Sequence, residues 1–105
     1  MPVRGLLAVI VLSGACTTGK DRYTTVEGDL RRAIPLGMNA RDAARELDSL
    51  GIVHSPFESD SGRIVAIVRS VRKDLLTQTD ARFDLVFNSD GKLARITGRR
   101  LYTGP

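Results

Sequence analysis

Apolar and polar positions change period twice along this chain, and the changes divide it into three parts. An uncharged apolar stretch, Gly5 to Leu12, comes first, behind Arg4. A polar segment without periodicity, Thr17 to Thr25, follows. From Val26 the spacing becomes helical, with Val26, Leu30, Ala33 and Ile34 on one stripe. Pro35 disfavours helical geometry at Ile34 and ends the segment, and Gly28 keeps it short. A second helix is marked at both ends. Asn39 is a good N-cap, Asp42 stands three residues on, and Met38 and Ala43 are placed as a hydrophobic staple. Ala40, Ala43, Ala44, Leu47 and Leu50 then form the apolar stripe, while Arg41, Arg45, Glu46 and Asp48 face water. Gly51 is the expected C′ residue, free to take positive φ.

Beyond that helix the period falls to two. After the turn Asp60-Ser61-Gly62, a strand from Arg63 to Val71 has Ile64, Ala66, Val68 and Ser70 on one face. Val65, Ile67, Arg69 and Val71 fall on the other. Thr79 to Asn88 places Ala81, Phe83, Leu85 and Phe87 on one side, and Arg82, Asp84, Val86 and Asn88 on the other. Asn88-Ser89-Asp90-Gly91 reads as a hairpin loop, and Lys92 to Tyr102 as the last strand. Leu93, Ala94 and Ile96 break strict alternation there, which calls for a bulge or a twist. The expected fold is α+β, with two N-terminal helices packed on one face of a three-stranded antiparallel sheet.

The first apolar stretch is a targeting signal rather than part of that fold. It is too short to span a bilayer, which needs ~20 apolar residues. It closes on Leu12-Ser13-Gly14-Ala15-Cys16, which puts the only cysteine of the chain after three small residues. That is the arrangement of a bacterial lipoprotein signal, with Ser13 where leucine is more usual. An ordinary secretory signal with an incidental thiol is the alternative, but a single exported cysteine has no internal disulfide partner. The expectation is cleavage after Ala15, lipidation at Cys16, a tether over residues 16–25 and a domain over 26–105. Thr17 follows the cysteine, so no aspartate there retains the protein at an inner membrane. In a Gram-negative cell the destination is the periplasmic leaflet of the outer membrane; otherwise it is the outer face of the cytoplasmic membrane.

Composition narrows the rest. Removing residues 1–15 leaves 90, room for one domain with one small core. Its 15 basic and 12 acidic side chains leave a charge of +3, which favours anionic lipid headgroups or an acidic partner. Nucleic acid is not an expected partner of an exported, tethered protein whose basic residues are scattered. The sequence holds no catalytic constellation. His54 has no second ligand nearby, Glu58 and Asp60 flank Ser59 in a polar loop, and Asp90-Gly91 lacks the rest of a calcium loop. No phosphate loop or nucleophile elbow is present, and no metal or cofactor is expected.

The runs IPLGMNARDAARELDSLGI and FDLVFNSDGKLARITG, behind the lipobox cysteine, resemble the small outer-membrane lipoproteins of the BamE (SmpA/OmlA) family. The resemblance spans about residues 26–98. It implies a helical pair on a three-stranded antiparallel sheet and a non-catalytic role as a docking or accessory subunit of the cell envelope. Outer-membrane protein assembly or envelope integrity is the setting it implies. Three surfaces are candidates for contact. Val65, Ile67 and Val86 beside Arg69 and Arg82, on the sheet face away from the helices, would meet a protein partner. Arg99, Arg100 and Tyr102 would meet lipid or an acidic partner. The 55–61 loop would serve as a wedge if the protein were instead an inhibitor of an envelope hydrolase.

Overall fold

The computed structural model describes residues 21–103; the signal segment and Cys16 lie outside the described residues. Two helices, α1 (Tyr23–Ala33) and α2 (Ala40–Ser49), precede four strands: β1 (Val53–His54), β2 (Arg63–Lys73), β3 (Gln78–Phe87) and β4 (Leu93–Thr103). The strands pair in sequence order, each antiparallel to the next. Both helices contribute to one core with a single face of the sheet, so the α+β class holds. The sheet has four strands rather than the three expected.

The additional strand is β1. It pairs Val53 with Ile67 and His54 with Ala66 along the edge of β2. Two residues are too few to display an alternating pattern, so the strand exists through its partner rather than its own composition. α1 also starts earlier than expected: residues 23–25, read from the sequence as polar and without periodicity, are helical. The Asp21 carboxylate accepts a hydrogen bond from the Tyr23 N–H at 2.8 Å, satisfying one donor of the first turn. Tyr23 continues the apolar stripe one step before Val26 and stacks on Phe83, with ring centroids 5.6 Å apart.

The second helix follows the local rules closely. Asn39 accepts from the Asp42 N–H at 2.9 Å. At the other end the Ile52 N–H reaches the Leu47 carbonyl and the Gly51 N–H the Asp48 carbonyl, with Gly51 at φ 72°. These two bonds form a Schellman motif and turn the chain directly into β1.

Three rows of inward side chains cross the sheet: Ile64, Leu85 and Ile96; Ala66, Phe83 and Gly98; Val68, Ala81 and Arg100. Leu30, Ala43 and Leu47 of the helices and Ile34 just after α1 cover them. Burying a leucine or phenylalanine contributes roughly 1.5–3 kcal/mol, so this layer supplies most of the driving force. Two irregularities adjust the pattern. In β4 the register slips between Val86 and Phe87, which turns both Leu93 and Ile96 inward, as the broken alternation there implied. In β2 it slips between Val68 and Arg72, with Ser70 at φ 57°. Val71 is therefore fully buried, where simple alternation had placed it on the outer face with Val65 and Ile67.

Candidate functional site

Residues directly opposite one another in an antiparallel pair share a face, so the register assembles the outer surface of the sheet row by row. Arg63 faces Val86, which faces Arg95. Val65 faces Asp84, which faces Thr97. Val53 faces Ile67, which faces Arg82, which faces Arg99. The surface thus has two halves. Val53, Val65 and Ile67 make an apolar strip along β1 and β2 that Val86 extends onto β3. Arg63, Arg82, Arg95 and Arg99 stand around it with Asp84, and these five side chains carry a charge of +3.

Asp84 organises the cationic half. Its carboxylate takes Arg82 Nε at 2.8 Å and lies 3.4 Å from Arg63 Nη1. This contact raises the Arg82 pKa, so the guanidinium stays charged at any working pH. Arg63 Nε is buried and has no hydrogen-bond partner among the described residues. The three groups, with Thr97, Gly98 and Arg99, line a shallow open depression. One carboxylate shared by the Arg82 and Arg63 guanidinium groups holds them in place and leaves a net positive charge for an incoming anionic group.

The structure brings Val65, Ile67, Arg82 and Val86 together on this face, with Val53, Arg63, Arg95 and Arg99 beside them. Alternation in β2 and β3 was the signal for the first four. Val53 was missed with β1, and Arg95 because the bulge hides the phase of β4. Arg69 stands apart in the irregular stretch of β2, where its charge helps to keep the Asp80 pKa low.

The C-terminal trio is divided by the pleat. Arg99 belongs to the outer face, whereas Arg100 and Tyr102 belong to the helix side. Arg100 stands 4.4 Å over the Tyr23 ring and bonds the Asp21 carboxylate at 3.1 Å. These contacts bind β4 to the start of α1 and lower the Asp21 pKa, for which the Tyr23 N–H is the leading cause. Tyr102 is exposed at the end of the sheet.

The 55–61 loop is folded back rather than projecting. Ser55 bonds Val65 through both backbone and hydroxyl, the Glu58 N–H reaches the Arg63 carbonyl, and Phe57 meets Phe87 edge to face at 5.5 Å. Its Phe57, Ser59, Asp60 and Ser61 line an open depression with Phe87, Asn88, Ser89 and Asp90. No group of three or more His, Cys, Asp or Glu side chains gathers for a metal among the described residues.

His54 has a structural task. Its Nε2 is 2.7 Å from Asp48 Oδ1 and its Nδ1 2.7 Å from the Ser55 carbonyl. Both partners are acceptors, so the ring satisfies both only as imidazolium. Burial opposes that charge, yet the Ser55 and Asp48 contacts prevail and the pKa is raised above 6.5. The sign follows from linkage. The clamp between α2 and β1 contributes fully below pH 6.5 and is lost as pH rises through the higher folded value. We expect NMR titration of the ring to report a raised pKa that falls on Asp48→Asn. We expect the stability of the wild type to decline across the same interval more steeply than that of the variant.

Comparison with protein-family models, with curated proteins and with solved structures gives no match to this chain.

Proposed function

We propose that this protein is a membrane-tethered, non-catalytic docking subunit of the bacterial cell envelope, anchored through lipid on Cys16 and engaging an acidic protein partner through the outer face of its sheet. The observation that carries the reading is that face itself. Val53 is exposed and Val65, Ile67 and Val86 are half-buried beside four arginines and Asp84, while the helices cover the opposite side. An apolar centre with charged surroundings is the anatomy of a protein interface, and arginine is enriched in such positions. The BamE-like resemblance, including its setting in outer-membrane protein assembly, belongs to the same proposal.

The test is cross-linking capture from membranes with the full chain. Val65→Asp/Ile67→Asp places two carboxylates in the apolar strip, at half-exposed positions that the core does not use. We expect the partner to be lost from the variant, with affinity reduced more than ~10-fold, the effect of about 1.4 kcal/mol. Circular dichroism checks that the variant is folded. An unchanged partner set on a folded variant would overturn the docking face, and mass spectrometry of an unacylated Cys16 would overturn the anchor.

A further inference from the structure

The two ends of the sheet differ in chemistry. At one end lie Ser59, Asp60, Ser61, Asn88, Ser89 and Asp90 with Phe57 and Phe87 beside them, and the exposed Leu36 is near, next to Gly37, which bonds Leu93. At the other, β2 and β3 are joined by a two-residue tip, Leu75-Leu76, closed by a hydrogen bond from the Asp74 N–H to the Thr77 carbonyl. Leu75 is 98% exposed and Leu76 71%. Tight turns ordinarily draw Gly, Asn, Asp or Pro because their backbones or side chains favour the turn. Neither leucine here has positive φ, and neither reaches the core. Within residues 69–77 the charge is +2, from Arg69, Arg72 and Lys73 against Asp74. Tyr102, opposite Thr79 in the last pairs of β4, adds an exposed aromatic ring at the same end.

The chain enters the domain here as well. The Arg22 N–H bonds the Val71 carbonyl and its guanidinium the Ser70 carbonyl, each at 2.8 Å. Asp21 is held by Arg100. Cys16 stands five positions ahead of Asp21, a reach of at most ~18 Å when fully extended. A lipid on Cys16 would thus hold this end, and not the opposite one, at the bilayer.

We propose that the Leu75-Leu76 tip is a membrane-contact element that seats in the bilayer interface, with Arg72, Lys73 and Tyr102 at headgroup level. Leucine side chains gain by leaving water, basic residues by nearing anionic headgroups, and tyrosine by bridging the two zones. A second, independent contact is also what converts a flexible tether into a fixed attachment. The proposal rests on the membrane address given above, and its test separates the two.

The chain contains no tryptophan, so a single introduced one is a clean reporter. Leu75→Trp and, at the opposite end, Ser89→Trp would be made in the full chain, each at an exposed site. Each would be reconstituted in phosphatidylethanolamine–phosphatidylglycerol vesicles with brominated acyl chains. The expected result is a blue shift and loss of emission for Leu75→Trp on vesicle-bound protein, and neither change for Ser89→Trp. Equal, unquenched emission at both positions on bound protein would overturn the tip. So would a Leu75→Trp blue shift without vesicles, which would mark a protein contact. Mass spectrometry of Cys16, with flotation of Cys16→Ser, reads the anchor separately. If Cys16 proves unmodified, quenching at position 75 in protein mixed with vesicles still decides for or against the tip.

Discussion

Gly98→Ala is expected to destabilise the domain by about 1–3 kcal/mol, the usual cost of forcing extra volume into a close-packed core. Gly98 stands opposite Phe83 in the middle inward row. A Cβ on it would collide with the Tyr23 hydroxyl and approach two Phe83 ring carbons to 2.8 Å. Glycine ordinarily weakens a strand, and here it is the vacancy into which the stacked Tyr23–Phe83 pair fits. Phe83 is fully buried and has no room to withdraw, whereas Tyr23 lies nearer the surface. Tyr23→Phe removes the colliding oxygen, so Gly98→Ala/Tyr23→Phe should lose less than the sum of the single changes. Chemical denaturation of the four proteins measures this coupling. A domain of this size has little stability to spare, and about 1 kcal/mol moves its melting temperature by roughly 4–8 °C. A Gly98→Ala protein as stable as the wild type would mean that the aromatic pair is not held where the structure places it.

The second large effect is expected at the irregularity of β2. Ser70 takes positive φ, a conformation that costs a non-glycine residue free energy. The Asp80 carboxylate holds it by accepting the Ser70 N–H at 2.9 Å and the Gln78 side-chain amide at 2.8 Å. Those donors, with the Ser70 N–H foremost, lower the Asp80 pKa. Asp80→Ala leaves the Ser70 N–H without its acceptor and should cost about 1–3 kcal/mol; Asp80→Asn, which keeps one oxygen, should cost less. The lowered pKa gives the wild type stability that is present above pH 3.8 and lost as pH falls through the lower folded value. Denaturation midpoints measured on the acid side should therefore converge for wild type and Asp80→Ala. If they stay parallel down to the lowest pH, the carboxylate is not what supports the bulge.

What could be read from the residues was whatever short-range rules decide. Asn39, Asp42 and Gly51 specify α2 within a dozen positions, and Ala81, Phe83, Leu85 and Phe87 declare the inner face of β3 by alternation alone. Pro35 ended α1 for an equally local reason. The failures occur where a distant partner decides. β1 is a strand because β2 offers it an edge, and Val71 turns inward after a bulge that a carboxylate ten positions beyond Ser70 stabilises. Tyr23 was in principle visible as the next step of the α1 stripe, but the polar residues around it concealed it. For the candidate face, the apolar and arginine positions of β2 and β3 were legible. Their continuation onto β1 and β4 required the register.

The open side of β4 bears on how the protein behaves at high concentration. No strand pairs with that side among the described residues, and eleven residues of backbone run along it. A long unpaired edge of this kind is a template for pairing with the same edge of another molecule and hence for aggregation. Arg95, Arg99 and Arg100 are spaced along it, and Arg31 of α1 reaches over to the Ile96 carbonyl at 2.9 Å. Two copies brought edge to edge would set arginine against arginine. The arginines of β4 therefore act against that pairing.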